Sequence, residues 1–148
     1  MTQPKILTPA LEAILRAASN YSPAIEMVVR ERIRQITVEG WFPEHDDAHV
    51  KGELGQASAC YADAASMQVR GVNMEGAKTA YFEGMNGTPL WPFDQDSFRP
   101  KEDALHNAVI AAALAIAEAD RIVRHILKTG TKSDIERIWA RLRGEAAK

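Results

Sequence analysis

The stretch GWFPEHDDAHVKGEL, residues 40–54, gathers four carboxylates, two histidines and a tryptophan into fifteen positions. Glu44, His45, Asp46, Asp47, His49 and Glu53 are nitrogen and oxygen donors of the kind a divalent metal takes. His49 and Glu53 stand four apart and share a face if a helix has begun there. A metal held among them could polarise a phosphoryl oxygen or bring the pKa of a bound water close to neutrality. Asp120, far along the chain, supplies a further carboxylate, so Asp46, Asp47, Glu53 and Asp120 form the set that would hold magnesium or manganese in a hydrolytic reading. The spacing matches no diagnostic pattern: the sequence has no HExxH, no paired CxxC, no calcium loop and no phosphate-cradling glycine loop. The same residue types also suit a polar loop that leads into a helix, with acids at its positive end.

Aromatic residues offer a second chemistry. GWFP with Trp41 and LWPF with Trp91 each set a tryptophan and a phenylalanine around a proline. Such rings wall a flat ligand well, since stacking on a nucleobase is worth roughly 1–3 kcal/mol per base; they also anchor loops. The binding reading has Trp41 and Trp91 stacking on a ligand, while His45, Asp46, His49 and Glu53 make polar contacts. It assigns no catalytic residue and no cofactor. Asp120 has Arg124 four residues on as an ion-pair partner, and RERIR at 30–34 reads as a solvated helix face.

The elements that must position these residues read as helices. Thr8 before Pro9 and Ser22 before Pro23 each place a capping hydroxyl ahead of a proline, which predicts helices over 9–19 and 23–38. Ile25, Val28, Val29, Ile33 and Ile36 recur at helical spacing in the second. Leu54, Ala57, Ser58, Tyr61, Ala64 and Ala65 make a narrow stripe in a third helix, 49–67, that would let another helix come close. Residues 69–100, rich in glycine and proline, read as a covering loop with a short strand pair around 69–73 and 78–83. The segment from Lys101 to Gly130 is the longest periodic one, with Leu105, Val109, Ala112, Ile116, Ala119 and Val123 on one stripe, widened by Ile110, Leu114, Ile122 and Ile126. Gly130 should close it in a left-handed cap, and Ser133 with Glu136 should form a capping box for a last helix. The expectation is a mainly α, single-domain helical bundle over 1–148, with a long central C-terminal helix and flexible ends at 1–8 and 144–148.

Bulk properties narrow the function classes. A chain of 148 residues with 46% hydrophobic and 26% charged residues suits one folded domain. Eighteen basic against twenty acidic side chains give no global field for a nucleic acid or an anionic membrane. The longest apolar run, AVIAAALAIA at 108–117, covers about half a membrane span. A single cysteine, Cys60, can make no intrachain disulfide, which fits a cytoplasmic setting. The partners expected are a small molecule or a host protein, with homodimerisation through the alanine-rich faces as an option.

Three resemblances bear on function. Arg30, Gln35, Gly40, Trp41, His45, Asp46, Asp47, His49, Gly52, Glu53, Leu54, Cys60 and Tyr61, with the later WPF and FRPK, make the chain from 30 to 126 resemble a family of small phage and prophage proteins. That family carries no known activity. EGW, the acids, His49 and GEL are also faintly similar to the ryanodine-receptor repeat domain, which implies a binding module. RQITVEGW followed by KGELGQAS is similar to the entry helices of the MazG-like nucleotide pyrophosphohydrolases, in which helical ExxE and ExxD carboxylates hold magnesium. Here no carboxylate stands three residues before or after Glu53, and Glu118 and Asp120 are only two apart. The expectation is therefore a phage or prophage accessory protein that binds a nucleotide-like ligand or a host factor without turnover. Metal-dependent nucleotide hydrolysis and a protein-interaction module are the alternatives.

Overall fold

The computed structural model describes residues 8–84 and 86–145, with the side chains of residues 76, 77 and 132 left aside. Most of the segments expected to be flexible, 1–7 and 146–148, lie outside the described residues. The elements are α1 (Pro9–Ser19), α2 (Pro23–Thr37), α3 (Pro43–Asp47), α4 (Glu53–Val69), α5 (Met74–Glu83), α6 (Ala104–Thr129) and α7 (Lys132–Leu142). A single 3-10 turn, Gln95–Ser97, interrupts the long connection before α6. The protein is mainly α, and no strand occurs among the described residues.

The two proline-led starts fall where the sequence places them. Thr8 Oγ1 accepts from the Leu11 N–H at 3.2 Å, satisfying one of the donors a helix N-terminus leaves open. Ser22 occupies the equivalent position before α2, but its side chain makes no capping hydrogen bond. α1 and α2 are joined by Arg30, which donates to Glu12 at 2.9 Å and to Glu26 at 2.8 Å.

The axis of the fold is the packing of α4 on α6. Ala57, Ala64, Ala113 and Ala117 are all fully enclosed, and Ser58 Oγ donates across the contact to the Ala111 carbonyl at 2.7 Å. Small side chains let the two backbones approach, so Ala57, Ala64, Ala113 and Ala117 are used within the chain. This also turns α6 away from the expected orientation. Its buried face runs through Asn107, Ile110, Ala111, Leu114 and Ala117, with Val109 and Ala113 beside it. Leu105, Ile116 and Val123 of the expected main stripe and Ile122 of its widening are exposed, while Val109, Ile110 and Leu114 are buried as expected. A face made of isoleucines would hold α4 off, whereas the alanine face does not.

Four further expectations are corrected. The strand pair at 69–73 and 78–83 is absent; Asn73 caps α5 by accepting from the Glu75 N–H at 3.0 Å, and Tyr81 packs into the core from this helix. A two-stranded ribbon of that length has little independent stability, while one helical turn after another buries Tyr81 and part of Phe82 against Phe98. α4 begins at Glu53 rather than 49, because Gly52 takes a left-handed conformation, φ +83°, directly before it. Gly130 is extended, φ −110°, not left-handed; a Cβ there would lie 3.0 Å from the Ile126 carbonyl oxygen. The capping box of α7 is Thr131 with Asp134, not Ser133 with Glu136.

The remainder of 84–103 does cover the bundle, tied down at several points. Gln56 donates to the Pro89 carbonyl at 3.2 Å, Cys60 Sγ to that of Leu90 at 3.4 Å, and Gln68 to that of Lys101 at 2.7 Å. Trp91 and Phe98 are thereby set into the core beside Tyr61, Tyr81, Leu54, Ile110 and Leu114. No helix among the described residues is long and apolar enough to cross a membrane.

Candidate functional site

The motif at 40–54 folds into α3 and its two flanking turns. Gly40, at φ +75°, reverses the chain after α2, and the Trp41 N–H returns to the Gln35 carbonyl at 3.1 Å. Pro43 then opens α3, where the first N–H is unneeded. A five-residue helix has little stability of its own, so its position depends on what its side chains hold.

Asp46 and Asp47 hold it from opposite sides. Asp46 points inward, with 1% of its side chain exposed, and forms an ion pair with Arg32 of α2, itself 11% exposed. Arg32 also donates to Gln35 Oε1 at 3.2 Å, and Gln35 Nε2 to Glu31 Oε1 at 3.3 Å, so the buried polar groups of α2 form one chain of bonds. RERIR is thus only partly a solvated face, since Glu31 and Arg32 are buried. Asp47 turns to α6: Arg124 Nε donates to it at 2.8 Å and Lys128 Nζ at 3.5 Å. The Arg124 hydrogen bond, with the positive charge behind it, holds the Asp47 carboxyl below its ordinary range. Arg124 therefore serves Asp47 and not Asp120, which is exposed.

Glu53 is occupied as well. Its own N–H and that of Lys51, at 2.7 Å from Oε2, keep its carboxyl below the usual value. Asp46, Asp47, Glu53 and Asp120 are not brought together, and among the described residues no group of three or more histidine, cysteine or acidic side chains is placed to hold a metal ion.

The histidines face a cavity, with His45 Nδ1 still 3.4 Å from Asp46 Oδ1. The cavity, of about 460 Å³, lies beside α3, between α2 and the covering segment, with Trp41, His45, His49, Trp91 and Phe93 in its wall. That volume falls in the range of small-molecule sites. The rings touch in series: Trp41 stacks on His45 with centroids 6.0 Å apart and planes 8° apart, His45 meets His49 edge-on at 4.9 Å, and His49 meets Phe93 at 5.1 Å. Phe93 in turn meets Trp91 at 5.6 Å. Trp91 is only 5% exposed, and its Nε1 donates to the Asp94 carbonyl at 3.0 Å and Ser97 Oγ at 3.1 Å, so it forms the floor more than a stacking platform.

Of the six residues expected to contact a ligand, Trp41, His45, His49 and Trp91 line the cavity, whereas Asp46 and Glu53 do not. Sequence reasoning missed the polar half of the lining: Gln35, Arg34 with its partners Glu31 and Glu39, and Asp94, Ser97, Arg99 and Lys101. The signal available was the FRPK segment beginning seven residues after Trp91 together with the polar positions of α2 shortly before GW. Arg34 is consumed locally, donating to Glu31 at 2.8 and 3.0 Å and to Glu39 at 2.6 Å. Comparison with family models, with curated proteins and with solved structures yields no match.

Proposed function

We propose that the cavity beside α3 receives a small, flat, nucleotide-like ligand and that the protein binds it without turning it over, as an accessory protein of the phage or prophage kind its sequence resembles. The observation that carries this reading is the series of touching rings. Trp41, His45 and His49 from one segment and Phe93 and Trp91 from another, some fifty residues away, meet around one cavity of about 460 Å³. Binding without turnover is supported by the state of the motif's carboxylates. Asp46 and Asp47 are engaged by guanidinium groups and Glu53 by main-chain N–H groups, so these three carboxylates are spent on structure, Asp46 Oδ1 also lying 3.4 Å from His45 Nδ1.

Titration calorimetry with the four ribonucleosides and their 5′-monophosphates, read alongside tryptophan fluorescence, tests it. A single stacking ring contributes roughly 1–3 kcal/mol, so Trp41→Ala should weaken binding about 5- to 150-fold. Absence of any nucleoside or nucleotide binding, or equal affinity in Trp41→Ala and His49→Ala, would sink the reading. A protein-interaction role has one observation in its favour: Ile138, Trp139 and Leu142 of α7 form an exposed apolar face.

A further inference from the structure

Resting on the reading of the cavity as a nucleotide-like site, we propose that Arg99 and Lys101 form its anion subsite, so that the ligand recognised is a phosphorylated one and its phosphate lies against the 99–101 segment. Both residues line the cavity. They lie outside any helix, yet their main chain is held by side chains of α4 and α6, the buried Asn107 and Tyr61 and the half-buried Gln68.

Asn107, wholly buried on α6, spends its amide on this segment. Its Oδ1 accepts from the Lys101 N–H at 2.7 Å and its Nδ2 donates to the Lys101 carbonyl at 2.9 Å and to Gln68 Oε1 at 2.7 Å. Gln68 Nε2 donates to the same Lys101 carbonyl at 2.7 Å. Two residues earlier, the Arg99 N–H donates to the Tyr61 hydroxyl at 3.3 Å, Arg99 Nε donates to the Asp96 carbonyl at 2.9 Å, and Pro100 fixes the torsion between the two cations. A loop with so many main-chain anchors presents its side chains from a fixed base, which lowers the ordering cost when they close on a ligand.

Charge accounting points the same way. Of the three cations in the lining, Arg34 is saturated by Glu31 and Glu39. Arg99 and Lys101 enter no ion pair among the described residues, and Asp94 is the lining carboxylate that no guanidinium holds there. The lining is balanced overall, Arg34, Arg99 and Lys101 against Glu31, Glu39 and Asp94, but with both glutamates drawn to Arg34 the 99–101 segment keeps two cations against one carboxylate. A phosphate supplies the matching charge; a guanidinium engages it through paired N–H donors and an ammonium as a point charge. The rings then take the base and the 99–101 segment takes the phosphate.

The test compares each ribonucleoside with its 5′-monophosphate, and inorganic pyrophosphate alone, on the wild type and on the Arg99→Gln/Lys101→Gln double variant. Both positions are exposed and their anchors are main-chain groups apart from the exposed Arg99 Nε bond to the Asp96 carbonyl, so the fold should persist, as circular dichroism would verify. The expected result is a monophosphate bound roughly 10- to 150-fold more tightly than its nucleoside, with the gap erased in the double variant and nucleoside affinity unchanged. Equal affinity for nucleoside and monophosphate, or a gap that survives in the double variant, overturns the anion subsite while leaving the ring reading intact. Pyrophosphate raising the melting temperature of the wild type alone, with no nucleoside or nucleotide bound, would uphold the subsite and overturn the ring reading. No binding of any of these probes overturns both.

Discussion

Asp46→Ala is the sharpest test of how the site is built. The Asp46 side chain is 1% exposed and that of its partner Arg32 11%, so the substitution strands a guanidinium in the interior. Breaking a buried pair in this way costs about 3–5 kcal/mol, against about 0–1 kcal/mol for an exposed pair such as Arg143 with Glu145. For a chain of 148 residues that corresponds to a fall in melting temperature of roughly 10–15 °C. Urea denaturation followed by circular dichroism gives the free energy, and a thermal melt gives the shift. The double variant Arg32→Met/Asp46→Leu should recover part of the loss, because the penalty lies in the orphaned charge rather than in the missing attraction. Recovery will fall short by about 1–3 kcal/mol, since Gln35 Oε1 loses the Arg32 donor that now reaches it at 3.2 Å. A chelator arm separates this from the metal reading: an Asp46 that pairs with Arg32 predicts a wild-type melting temperature indifferent to EDTA. The reasoning fails if Asp46→Ala loses less than about 1 kcal/mol, or if the double variant is as unstable as the sum of the singles.

Four other outcomes follow from the same coordinates. Asn107→Ala leaves the Lys101 N–H unpartnered beneath the covering segment and should destabilise by about 1–3 kcal/mol in urea unfolding; a neutral result would show that this segment is not anchored there. Glu12, Glu26, Asp47 and Asp134 have carboxyls held low, by Arg30 for the first two, by Arg124 for the third and by the Thr131 N–H for the fourth. Because these folded-state values lie below the unfolded ones, their stabilisation is present above about pH 4 and is lost as pH falls through the folded values. Melting temperatures measured from pH 7 down to pH 2.5 should drop in that acid window, and Asp47→Asn should shallow the drop. Burial, then the nearby Asp63, pushes the Cys60 thiol up to about 11, so iodoacetamide at pH 8 should label it only as the protein unfolds; rapid native labelling in a mass spectrum would contradict that placement. Gly84→Ala should cost more than Gly71→Ala, where strain alone is about 1–2 kcal/mol: both have positive φ, but a Cβ at 84 would stand 1.6 Å from the Thr88 carbonyl oxygen, while at 71 it would meet nothing within 4 Å.

The fold was legible where local chemistry decides it. Pro9 and Pro23 mark the starts of α1 and α2, and the observed ends at Ser19 and Thr37 differ from the expected ones by no more than a residue. It was less legible where a partner decides. The hydrophobic pattern of α6 contains two candidate faces, and the buried one was chosen by α4, whose Ala57 and Ala64 accept alanines and exclude isoleucines. On α2 the most enclosed positions are Glu31, Arg32 and Gln35, which hydrophobic periodicity assigns to solvent. Those groups go inside because they pair there, and pairing over fourteen residues, as between Arg32 and Asp46, leaves no periodic trace. α5 is a further case: as a helix it brings Tyr81 to the Phe98 ring, with centroids 5.0 Å apart, a contact across seventeen residues that local pattern does not record.

The same logic explains why EHDDAH looks like a metal motif. Aspartates that ligate a cation and aspartates that pair with a guanidinium are the same residues, and the difference lies in where the positive charge comes from. Here it comes from Arg32, fourteen positions before Asp46, and from Arg124, seventy-seven after Asp47. Two adjacent acids on a one-turn helix point about 100° apart, so one can reach α2 while the next reaches α6. The histidines at 45 and 49 are then left on the remaining side, four apart and edge to face, where the cavity opens. The acids fix α3, α3 fixes the histidines, and the histidines with Trp41 and Phe93 form the wall. In the proposed function a carboxylate of this motif would act on the ligand through the position of a ring, so its substitution should disturb stability and affinity together while a substitution at His49 should disturb affinity alone.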